Sequence, residues 1–97
     1  MNYIFNNGKF AILPDEREYQ VGRPYTDDNG NPRITSSSVK HHYGVVSAVT
    51  AASKLVADSE SKDLNEWLTR YHAVALDILG KFKEYEDEKS AGKLRDS

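Results

Sequence analysis

The chain has 97 residues, with thirteen Lys and Arg against fifteen Asp and Glu, a formal net charge of −2 and no cysteine. This length suits one domain, and its core must hold without disulfides or thiolate-bound metal, which fits a reducing, cytoplasmic setting. No tract of Lys or Arg is long enough to neutralise several phosphates at once, so general nucleic-acid binding is disfavoured. No apolar run approaches the ~18 residues of a membrane span, and the opening residues lack the pattern of a signal peptide.

Residues 2–13 read NYIFNNGKFAIL, two β-favouring runs on either side of Asn7-Gly8. Asn-Gly between such runs predicts a β-hairpin with a two-residue turn, because both residues tolerate positive φ. In that register Phe5 pairs with Phe10, and Tyr3, Phe5, Phe10 and Ile12 share one aromatic face while Ile4 and Ala11 occupy the other. Pro14 then stops the ladder. The following stretch to Thr35 is rich in turn formers, with Tyr19-Gln20-Val21 and Arg33-Ile34-Thr35 as candidate strands around the polar turn Asp27 to Pro32.

At Ser36-Ser37-Ser38 the hydroxyls suit a helix cap, and the pattern becomes helical. Helix A is predicted over 36–58, with Val45, Val46, Ala48, Val49, Ala52, Leu55 and Val56 on its apolar face. A polar break follows, with Ser61 or Asp63 as the cap of helix B over 61–89. Leu64, Leu68, Tyr71, Ala75, Ile78, Phe82 and Tyr85 form an unbroken stripe there, widened by Trp67, Val74 and Leu79. Gly80 interrupts it at a cost of roughly 1 kcal/mol relative to Ala. Gly92 reads as a C-cap, and residues 93–97 as a disordered tail.

The expected fold is thus α+β: an N-terminal β-hairpin and long loop (1–35), then an antiparallel two-helix hairpin, all within a single small domain of residues 1–92. The stripe on helix B is longer in apolar content than the narrow face of small residues on helix A can cover. Either the aromatic face of the first hairpin or a second copy of the chain must cover the rest.

Chemistry-bearing residues are sparse. His41, His42 and His72 lack the spacing of a zinc site, since adjacent residues diverge by about 100° on a helix. Asp27-Asp28-Asn29-Gly30-Asn31 misses the register of a calcium loop and reads as a turn. The serine cluster reads first as a cap rather than a phosphate site, there is no P-loop, and no nucleophile has a base and a carboxylate in pattern. No metal or other cofactor is called for.

Aromatic residues are the stronger signal. Tyr3, Phe5, Phe10, Tyr19, Tyr25, Trp67, Tyr71 and Tyr85 are the candidate partner-binding residues, because Trp and Tyr anchor interfaces with an apolar body and a polar tip. The expectation is a small non-enzymatic protein-interaction module, an accessory, regulatory or inhibitor protein of a form that phage-encoded proteins share. It is expected to self-associate as a dimer through its helical hairpin and to meet a further protein partner. The alternative is a binder of an anionic metabolite or nucleotide that uses Arg23, Arg33, Lys40, His41 and Tyr43.

Overall fold

The computed structural model describes residues 2–16, 18–35 and 39–96, with side chains as far as Lys89. The fold is α+β. In chain order the strands are β1 (Phe5–Asn6), β2 (Ala11–Pro14), β3 (Tyr19–Gly22), β4 (Pro24–Thr26), β5 (Pro32–Ile34) and β6 (Lys40–His42), followed by the helices α1 (Val45–Glu60) and α2 (Leu64–Asp96). An antiparallel sheet of order β1-β2-β3-β6 lies beside a separate β4-β5 pair.

Strand β2 is buried along its whole length, as a strand covered on both faces must be. Ile12 turns to the helices and joins Ile4, Phe5, Val21, Ala48, Val49, Ala52, Val56, Ile78 and Phe82 in the main core. Ala11 and Leu13 turn the other way, to Ile34 of β5 and the half-buried Tyr3 and Val39. The β4-β5 hairpin therefore covers the sheet face opposite the helices.

The first hairpin forms, but not with the predicted turn. Phe5 pairs with Ile12 and Asn6 with Ala11, which leaves Asn7 to Phe10 as a four-residue loop closed by the Asn7 N–H donating to the Phe10 carbonyl at 3.1 Å. A two-residue type I′ turn needs positive φ at both central residues, and only Gly8 adopts it, at 91°. The Asn7 side chain instead accepts from the amides of Lys9 (2.9 Å) and Phe10 (2.8 Å), so the asparagine closes the loop through its carboxamide.

The shift is by two residues, so Phe5 and Ile12 keep their shared face. Tyr3 does not. It joins the opposite layer, and its hydroxyl accepts from the Arg33 N–H (3.1 Å) and lies within donating distance of the Tyr25 (2.8 Å) and Arg33 (2.7 Å) carbonyls. This tyrosine ties the start of the chain to the β4-β5 hairpin. Ile4 and Ala11, expected on the free face, are both buried.

All three prolines stand at ladder ends: Pro14 closes β2, Pro24 opens β4 and Pro32 opens β5, where a missing N–H costs least. The strand β4 went unread in the sequence because Pro24 begins it. Asp27 builds the turn that follows. Its Oδ1 accepts from the Asn29 (3.0 Å) and Asn31 (2.9 Å) amides and its Oδ2 from Arg33 Nε (3.1 Å), while Gly30 takes φ 81°.

Lys40 to His42 form an edge strand on β3, where the sequence predicts the first turn of a helix. Helix α1 starts only at Val45, with Gly44 as an N-cap that offers no side-chain hydrogen bond. Ser36, Ser37 and Ser38, expected to cap it, lie outside the described residues. Ala48, Ala52, Ser53 and Ala57 are fully buried, so small side chains let α1 approach its neighbours closely.

Helix α2 is capped by Asp63, whose carboxylate accepts from the Glu66 amide at 2.8 Å; of the two predicted caps, this is the one used. The helix continues through Gly80 and past Gly92, where the sequence predicts its end, and so takes in most of the expected tail. Its 33 residues span about 50 Å at 1.5 Å per residue, which matches the 50 Å long axis of the molecule. No described helix is long and apolar enough to cross a membrane.

A methyl group added at Gly80 meets nothing within 4 Å, so Gly80→Ala is expected to raise the unfolding free energy by about 1 kcal/mol. Phe82→Ala, two positions on and 3% exposed, is expected to lower it by about 3–5 kcal/mol. Urea denaturation of both variants measures the contrast.

Candidate functional site

Helix α2 has two apolar faces. Ile78 and Phe82 are buried, and Trp67, Val74, Ala75 and Tyr85 flank them half-buried. Phe82 meets Tyr19 edge to face, with ring centroids 5.0 Å apart and an interplanar angle of 83°. Burial, then Glu86 and Tyr85, hold the Tyr19 phenol above its usual pKa.

The second face looks outward. Leu64 is 71% exposed, Leu68 53%, Leu76 67% and Leu79 46%. Leu64, Leu68 and Leu76 stand on one row of four-residue steps that includes the exposed His72, with Leu79 beside it. The sequence reading places Leu64, Leu68 and Leu79 in the core stripe and gives Leu76 and His72 no role in it. Periodicity locates an apolar face but does not say how much of it a neighbour covers. The first hairpin, through Ile4 and Phe5, and β3, through Tyr19, cover the stretch around Ile78 and Phe82, and the leucines nearer the start of α2 are left outside.

Beside this ridge the indole of Trp67 stacks on Tyr71, with centroids 5.1 Å apart and an interplanar angle of 19°. Its Nε1 donates to the Asp58 carboxylate at 2.7 Å, which joins the end of α1 to the start of α2. An open, mostly apolar hollow of about 420 Å³ lies here, lined by Ser61, Lys62, Asp63, Leu64 and Trp67.

The other partner candidates are dispersed. Phe5 is buried, Phe10 packs on the main core, and Tyr3 is committed to the β4-β5 hairpin. Tyr25 is half-exposed on β4. Tyr85 lies at the far end of the helical pair, with the Lys89 ammonium 5.9 Å from its ring centroid. The structure therefore gathers Trp67 and Tyr71 with leucines that sequence had assigned to the core, and leaves the remaining aromatics apart.

The residues considered for anion binding are likewise divided among different surroundings. Arg33 is held by Asp27 at 3.1 Å, and His41 Nδ1 lies 2.6 Å from a Glu18 carboxylate oxygen. Lys40 and His41 are successive residues of β6 and so point to opposite sides of the sheet. Arg23 lines a groove with Lys9, Phe10 and Thr35, and Tyr43 is 80% exposed beyond β6. His42 faces the helices, where its Nδ1 lies 2.6 Å from Ser47 Oγ. Among the described residues no group of three His, Cys, Asp or Glu is placed to hold a metal ion.

No family model matches the sequence, and no curated protein or solved structure matches it significantly.

The Asn31 amide, with Arg33 and the Asn29 amide after it, holds the Asp27 carboxyl below its ordinary pKa. A depressed carboxyl pKa gives support that is complete above the unfolded value of about 3.9 and is lost as pH falls through the lower folded value. The Asn29 and Asn31 amide resonances are therefore expected to titrate with a midpoint below that of an unfolded Asp, and the shift is expected to vanish in Asp27→Asn; an NMR pH series checks both.

Proposed function

We propose that this protein is a non-enzymatic protein-interaction module, of an accessory, regulatory or inhibitory kind, that self-associates through α2. One observation carries the reading: four leucines, each about half to three-quarters exposed, stand together on one helix face beside a stacked Trp67–Tyr71 pair. Scattered apolar side chains on a surface need no explanation, but a contiguous apolar face marks a contact site. Exposed leucine also costs solubility, whereas burial of a leucine side chain contributes roughly 1.5–3 kcal/mol. The half-exposed Tyr25 and the acidic residues near the end of α2 remain open to a different protein partner.

The chain is expected to show a mass that rises with concentration in light scattering. Leu68→Glu and Leu76→Glu place carboxylates on the exposed face without touching the core, so each is expected to give a monomer with an unchanged far-UV spectrum. Dissociation constants weakened at least tenfold, about 1.4 kcal/mol, are expected from sedimentation. A wild-type chain that stays monomeric would overturn the proposal.

A further inference from the structure

The occupant of the α2 face follows from how its leucines are spaced. Leu68 and Leu76 lie four positions on either side of His72, and Leu64 and Leu79 lie eight and seven positions from it. A ridge so nearly symmetric about one residue matches itself when a second copy is turned end for end. From this self-complementarity we infer that two copies pack α2 against α2 antiparallel, about a two-fold axis that passes beside His72. The inference rests on the self-association proposed above and supplies its geometry.

In this arrangement Leu68 of each copy meets Leu76 of the other, and Leu64 meets Leu79. The contact is isologous, so it closes as a dimer and leaves no unpaired repeat of itself. The hollow lined by Ser61, Leu64 and Trp67 lies at one end of the ridge, opposite Leu79 of the second copy, which gives a knob for each hole. Charge follows the same symmetry. Between Leu64 and Leu79 the ridge itself carries no Asp, Glu, Lys or Arg, and the next charged residue along it, Lys83, falls toward the second copy's junction of α1 and α2, where Asp58 and Glu60 at the end of α1 and Asp63 outnumber Lys62. Opposite charges across the rim favour this orientation over a parallel pairing, in which the acidic α1–α2 junction of each copy would face that of the other. The exposed His72 side chains meet at the centre, where a small polar pair sets register at modest cost in stability.

The absence of cysteine makes the test direct. His72→Cys brings two thiols together at the axis, within the roughly 7 Å between Cα atoms that a disulfide spans, whereas Lys54→Cys on α1 and Asp77→Cys on another side of α2 keep them apart. Under mild oxidation at about 100 μM protein, well above a micromolar dissociation constant, His72→Cys is expected to cross-link to a dimer at least tenfold faster than either control. The Leu64→Cys/Leu79→Cys double variant is expected to cross-link as well and gives an independent reading if His72→Cys alters the fold, as judged by circular dichroism. A wild-type dimer in which neither set of thiols outpaces the controls overturns this register and leaves self-association standing. A wild-type monomer at that concentration overturns both.

Discussion

The burial of β2 on both faces is the constraint from which the rest of the architecture follows. Four consecutive residues, Ala11 to Pro14, are all shielded from water, so the sheet needs cover on two sides from a chain of only 97 residues. The helices supply one layer through Ile78, Phe82 and the small face of α1. The β4-β5 hairpin supplies the other through Ile34. A two-stranded hairpin is at best marginally stable alone, and here it is held by a network centred on Asp27 and by the Tyr3 hydroxyl at the Tyr25–Arg33 pair. The far layer thus depends on single polar groups, while the near layer depends on apolar area.

The two helices are unequal, and that inequality creates the exposed face. Helix α1 has 16 residues and a surface built of Ala, Ser and Val, so it comes close but covers little width. Helix α2 is twice as long and carries apolar residues around more than half its circumference in its first five turns. Once α1 and the first hairpin have taken the sector with Ile78 and Phe82, the sector with Leu64, Leu68, Leu76 and Leu79 is left about half to three-quarters exposed.

Much of this order is legible in the sequence, and the exceptions have identifiable causes. Asn-Gly marked the first hairpin, and the two-residue slip in register left Phe5 and Ile12 on the right face because strand facing repeats every two residues. Asp27 to Asn31 read as a turn and is one. By contrast, Lys40-His41-His42 has no strand character of its own; its pairing is imposed by β3, which local propensity does not see. The serine triplet suggested a helix start that the chain delays to an uncapped Gly44. At the candidate site, the excess of the α2 stripe over what α1 can cover was readable, but which leucines were left over was not, because that depends on where the hairpin docks.

The uncapped start of α1 has a dynamic consequence. With no side chain on Gly44 to satisfy the first amides and no acidic residue in the first turn, that turn leans on the contact between His42 and Ser47, which reaches it from the sheet edge. The edge strand and the first turn of the helix therefore share one support. A shared support couples the two, so loss of the His42–Ser47 contact is expected to loosen the sheet edge and the first turn of α1 together, at the end of the helix away from the Trp67–Asp58 bond.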